Sequence, residues 1–196
     1  MAYNLHYEIN GMACISAAIP NKRRGSYTAF RQLEWSVGFS PHFRFVPLRG
    51  GAEVRYTPGC VGALSGRTKT WHISMNAAPS AAGFEINYRS LPVSWVLRQA
   101  LARDEPYDDT VDWLLRQTVI RRAYALITCA HAACWIVMDP EISYVQQSAG
   151  YPDKLIVRNS EYEESATPRE YSTKLSDAPY QADDGAWVLD RYAVKL

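Results

Sequence analysis

The spacing of apolar residues changes twice along the chain. From the start to about residue 75 they come in short runs rich in β-branched and aromatic types. Leu5 to Ile9, Cys14 to Ile19, Tyr27 to Leu33, Phe43 to Leu48, Ala52 to Tyr56 and Thr70 to Met75 all read as strands. The polar stretch from Pro20 to Gly25 predicts a turn, because its Pro and Gly interrupt pairing. Arg49-Gly50-Gly51, set between two such runs, predicts a hairpin.

After Ser90 the period lengthens to that of a helix. Pro92 fits a first turn behind a candidate Ser90 cap, and Val93, Val96, Leu97, Ala100 and Leu101 fall on one face. A second helix is expected over Asp108 to Gln117. There Asp108 and Asp109 suit the positive end of the dipole, and Val111, Leu114 and Leu115 supply an apolar side. Short β-rich runs then return at Tyr124 to Cys129, Cys134 to Asp139, Ile142 to Gln147 and Lys154 to Arg158. Strands, two helices and strands again form an α+β layout, with helices covering one face of antiparallel sheet. One domain is expected over residues 1–160. Residues 161–196, rich in Glu, Ser, Pro and Tyr at their start, read as an extended C-terminal tail, and Tyr162, Tyr171 and Tyr180 would suit a tail wrapped on a partner.

Composition narrows the class. With 196 residues, 47% hydrophobic and 21% charged, the chain has the material for one ordinary core. Twenty-one basic against 20 acidic residues leave a net charge of +1, so no global field draws it to nucleic acid or to an anionic membrane. The longest apolar stretches fall far short of the roughly 20 residues that span a bilayer. The opening residues lack the basic and apolar order of a secretory signal, so no targeting peptide is expected within the sequence. Four cysteines and the absence of a glycosylation sequon favour a non-secretory compartment. Cys129, His131 and Cys134 supply only three ligands, at a spacing unlike the usual zinc sites, and read instead as a hairpin bearing two thiols. No metal or cofactor is expected. His6, His42, His72 and His131 are dispersed, and the six tryptophans read as core or interface anchors.

An ordered series of short blocks is more specific. Tyr7-Glu8-Ile9 followed by Cys14-Ile15-Ser16 resembles the junction that opens the catalytic subunit of the acid ceramidase and N-acylethanolamine-hydrolysing acid amidase family. Arg31-Gln32-Leu33-Glu34-Trp35 is similar to that family's Arg-Asn-(Leu/Met)-Asp-aromatic block. Gly59-Cys60-Val61-Gly62 with Ser65-Gly66 resembles its glycine-rich turn, and Leu91 to Arg98 resembles its Pro-Val-Ser-Trp helix. The resemblance runs in order from about residue 5 to 160. It implies an N-terminal-nucleophile hydrolase fold, an αββα sandwich of mainly antiparallel sheets with two adjacent helices. It also implies a chemistry in which self-cleavage frees a cysteine whose own α-amine takes the thiol proton, an acyl-thioester forms, and water releases a fatty acid from a lipid amide.

Carried over by residue, Cys14 is the candidate nucleophile and Arg31 the guanidinium that favours its thiolate. Glu34 stands where an Asp orients the amine, and Asn159 where an Asn stabilises the oxyanion. Other positions depart from the pattern. Ala77 and Ala78 follow Asn76 where the family has an acidic-Arg pair, Glu34 is one methylene longer than Asp, and no acidic-basic block follows Asn159. An uncleaved Cys14 would have an amide in place of its base, and the family's separate N-terminal subunit has no counterpart in the sequence. The expectation is therefore a catalytically inactive, acid-ceramidase-like accessory subunit of a larger protein assembly, mitochondrial or otherwise intracellular in setting. The alternative is a cysteine amidase acting on N-acyl lipid amides, lysosomal if a true family enzyme. The partners expected are other protein subunits, with lipid amide only for an active enzyme.

Overall fold

A computed structural model describes residues 14–33, 44–48, 50–56, 62–78, 86–157 and 188–193. Among these, β1 (Cys14–Asn21), β2 (Ser26–Leu33), β3 (Arg44–Pro47), β4 (Glu53–Tyr56), β5 (Ser65–Arg67) and β6 (Trp71–Ala77) precede two helices, α1 (Val93–Arg103) and α2 (Tyr107–Leu115). β7 (Ala123–Cys129), β8 (Ala132–Met138), β9 (Tyr144–Gly150), β10 (Leu155–Val157) and β11 (Val188–Ala193) follow. The expected strand over Leu5 to Ile9 and the stretch around Tyr162, Tyr171 and Tyr180 lie outside the described residues.

The strands form two sheets, ordered β3-β4-β5-β6-β7-β8-β9 and β10-β1-β2-β11, and every ladder in both is antiparallel. The α+β layout expected from the pattern is thus present. Three layers can be followed among the described residues: the helices, the seven-stranded sheet and the four-stranded sheet. The helices lie on one face of the larger sheet because their apolar stripes match its odd-numbered β6 positions. Val93, Val96, Leu97, Ala100, Leu101 and Leu114 close a core with Trp71, Ile73, Met75, Ile127 and Ile136. On the opposite face Tyr124, Leu126, Trp135 and Val137 meet Ala18, Tyr27, Leu155 and Val157 of the smaller sheet.

Several boundaries moved. Ser90 does not cap α1, which starts behind Pro92 with no side-chain cap bond; the Ser90 hydroxyl lies 3.1 Å from that of Thr118 instead. β5 was expected only as part of a glycine-rich turn. It is a strand in which Gly66 is required, because a Cβ there would sit 2.4 Å from Leu101 Cδ1 and 2.6 Å from the Glu53 carbonyl oxygen. β9 begins at Tyr144 and runs to Gly150, displaced from the expected Ile142 to Gln147. Asp139 and Ser143 hold the preceding residues in a turn: Glu141 N–H donates to Asp139 Oδ1 at 3.0 Å, and Ser143 Oγ to the Gln117 carbonyl at 2.7 Å. Within the expected tail 161–196, Val188–Ala193 pairs with β2, so that part of the chain belongs to the sandwich. β3 and β4 pair as the expected hairpin requires, with Gly50 and Gly51 at φ 98° and 95°, a backbone that side-chain-bearing residues avoid; Arg49 lies outside the described residues.

Candidate functional site

The layer between the sheets is apolar at one end and polar at the other. In β6, period two sends Trp71, Ile73 and Met75 to the helices and leaves His72, Ser74 and Asn76 facing the smaller sheet. All three are fully buried. Opposite them β1 brings Ser16 and β2 brings Arg31, which are paired in the ladder and equally buried.

These side chains are joined in a chain of hydrogen bonds. Ser74 Oγ donates to Ser16 Oγ at 2.9 Å, Ser16 Oγ donates to Asn76 Oδ1 at 2.9 Å, and Asn76 Nδ2 donates to the Val157 carbonyl at 2.8 Å. The path runs from β6 to β1, back to β6 and across to β10, so it ties both sheets together. Arg31 reaches over from β2 and donates through one terminal nitrogen to the Met75 carbonyl at 2.6 Å. His72 lies in the field of this guanidinium. Burial first, then Arg31 and Arg67, lower its pKa to about 3, so the imidazole is neutral at physiological pH.

Of the four positions singled out by sequence, two have a described backbone in this region. Cys14 opens β1 opposite Leu33, two residues before Ser16, and Arg31 pairs with Ser16. The structure therefore brings positions 14 and 31 to neighbouring strands, diagonal to one another. Glu34 and Asn159 lie outside the described residues; Asn159 is two positions beyond Val157, which pairs with Ser16. Two of the blocks quoted for the family resemblance also touch. A Cβ on Gly62 would fall 2.2 Å from Ser94 Oγ, and Ala63 N–H donates to the Ser94 carbonyl at 2.7 Å.

Ser16, Ser74, Asn76 and His72 were missed as site residues. Their signal was the alternation His-x-Ser-x-Asn in a strand, which is equally the signature of a solvent-facing edge. Only the second sheet turns that polar face into an interior. Cys129 and Cys134 are free and buried on the helix side, and burial pushes the Cys134 thiol up to about 11. Among the described residues no group of three or more His, Cys, Asp or Glu is placed to hold a metal ion. No described helix is long and apolar enough to cross a membrane.

Chemically, the cluster combines a buried cation, a neutral imidazole and hydroxyl and amide donors around the start of β1. The donors of Ser74, Ser16 and Asn76, and one terminal nitrogen of Arg31, point at protein acceptors. No protein-family model matches the chain, and a search of curated proteins finds no match.

Proposed function

We propose that the protein is a catalytically inactive relative of the acid ceramidase type, built on an N-terminal-nucleophile-hydrolase-like sandwich and serving as an accessory subunit of a larger protein assembly. The observation that carries this reading is the closed chain Ser74, Ser16, Asn76 and Val157, which uses the polar atoms nearest the start of β1 to bind one sheet to the other. An amide hydrolase needs donors aimed at the oxygen that becomes negative, and such donors and a general base each contribute about 100-fold or more to the rate. Here Asn76 Nδ2 donates to a backbone carbonyl and Ser16 Oγ to Asn76. The replacement of a charged pair by Ala77 and Ala78, both buried, removes polar groups from the same strand end. The finer fold assignment is supported by the α/β/β stacking order and by a cysteine at the first position of β1.

One observation favours the second reading, a cysteine amidase for N-acyl lipid amides. Arg31 is completely buried beside the strand that Cys14 opens, the kind of placement that stabilises a thiolate. The two readings separate when purified protein and its Cys14→Ala variant are incubated with a fluorogenic N-acyl amide at acidic and neutral pH, with the intact mass followed throughout. Equal background from both proteins and an unchanged mass are expected. Turnover that disappears in Cys14→Ala, together with loss of the residues before Cys14, would replace the first reading with the second.

A further inference from the structure

A groove of about 410 Å³ lies on the helix side of the larger sheet, at its β9 edge. Asp108, Val111 and Asp112 line it from α2, Cys134 from β8, and Val145 and Ser148 from β9. Three properties coincide there. First, β9 is the last strand of its sheet among the described residues, and it is mostly exposed over Val145 to Ser148. It carries no charge and no proline, the devices that usually keep an edge strand from pairing. Second, the floor is mostly apolar, and its Val145 is 42% exposed. Third, the helical rim is acidic: α2 holds Asp108, Asp109 and Asp112 and no basic residue.

We propose that this groove is a docking site for an extended, basic and apolar segment of a partner protein, which adds a strand to β9 and sets alternate side chains against α2. A β-strand places every second side chain on one face about 7 Å apart, so one apolar residue can reach the floor of Val111, Cys134 and Val145 while the next, if Arg or Lys, meets Asp108 and Asp112. The register shift between Trp135 and Ile136 disturbs the first part of β9, so the incoming strand pairs along Gln147 to Gly150. A second copy of this chain is the poorer occupant. Two-fold pairing across β9 would bring an acidic α2 towards its own symmetry mate, and like charges juxtaposed at an interface oppose association. The proposal names a partner chemistry for the assembly role above, but the groove does not depend on whether Cys14 is active.

The test uses the full chain and a fluorescein-labelled peptide, Thr-Val-Thr-Arg-Thr-Val-Thr-Arg, followed by fluorescence anisotropy, with sedimentation to read the oligomeric state. Saturable binding by a monomeric protein is expected. It should weaken about tenfold or more with the Arg→Glu peptide, with alternate backbone N-methylation of the peptide, and in Asp108→Lys/Asp112→Lys. These aspartates are exposed, so folding should survive, with circular dichroism as the control. The charge-reversed protein should in turn prefer the Glu peptide. Absence of binding, binding indifferent to N-methylation and to both charge reversals, or a concentration-dependent dimer that excludes the peptide would each overturn the proposal. None of these outcomes alters the amidase assay, so the two conclusions fail separately.

Discussion

The two faces of the seven-stranded sheet solve opposite problems with the same strands. Towards the helices, β6, β7 and β8 present Trp71, Ile73, Met75, Ala125, Ile127, Ile136 and Met138, a surface that needs only shape to be buried. Towards the smaller sheet, β7 and β8 are apolar, at Tyr124, Leu126, Trp135 and Val137, while β6 is polar, at His72, Ser74 and Asn76. Burying polar groups costs free energy unless each finds a partner. The apolar face is therefore tolerant in detail and expensive to hollow out. The polar face is cheap to change in volume but sensitive to the loss of a single donor or to a proton.

The sharpest way to break this comparison is to empty the helix face. Trp71 is fully buried, and its indole N–H donates to the Glu105 carbonyl at 2.7 Å, linking β6 to the connection between α1 and α2. Trp71→Ala should lower stability by about 4 kcal/mol, the cavity and the loss of the indole hydrogen bond acting together. Urea unfolding reads the change directly. A loss below about 1 kcal/mol would mean that the helices can close over the void and that this face is not the main core.

A proton should test the other face. His72 is held near pKa 3 in the fold, against 6.5 for the free side chain, so between these values the unfolded chain takes up a proton that the folded chain refuses. Its contribution is then fully present above pH 6.5 and falls as the pH is lowered through the window down to about 3, where it levels off. At about 1.4 kcal/mol per unit, some 2 kcal/mol should be lost between pH 6.5 and 5. Other groups titrate as well, so the informative quantity is the difference from His72→Gln, whose stability should fall less steeply by that amount. Parallel slopes would show that the imidazole takes up its proton in the fold as readily as in the unfolded chain, so that neither burial nor the neighbouring guanidinium excludes it.

How much of this was legible beforehand follows from the same contrast. The helix face was readable because its signals are periodic and local: the α1 stripe from Val93 to Leu101 and the runs of β6, β7 and β8 appear where expected. The polar face was not, because His72, Ser74 and Asn76 alternate with apolar residues as any half-exposed strand would, and their burial depends on a sheet made from residues more than 50 positions away in the case of Ser16 and Asn76. Short strands were misread for a related reason. β5 is three residues around a glycine that only packing against Leu101 explains, and β9 is a Gln, Ser, Ala and Gly run whose pairing comes from β8 rather than from its own pattern. Arg31 was singled out only by the resemblance; its burial and its bond to the Met75 carbonyl did not follow from spacing.

The smallest expected effect bears on whether the polar chain acts as a unit. Ser16 stands between two partners, accepting from Ser74 and donating to Asn76, whereas Asn76 also holds β10 through the Val157 carbonyl. Ser16→Ala should cost about 1 kcal/mol, since its neighbours can still bond elsewhere in part. Asn76→Ala should cost about 2 kcal/mol, because a buried carbonyl and a buried hydroxyl each lose one hydrogen bond. If the bonds support one another, the double variant should lose less than the sum, with a coupling of roughly 0.5–1 kcal/mol. Strict additivity would mean that the two residues act independently and that the sheets are held by the apolar end alone. The same cycle measured in amidase turnover, should any be found, discriminates further: a structural clamp changes stability and leaves the rate per folded molecule untouched, whereas an oxyanion donor at Asn76 would lower that rate by about 100-fold.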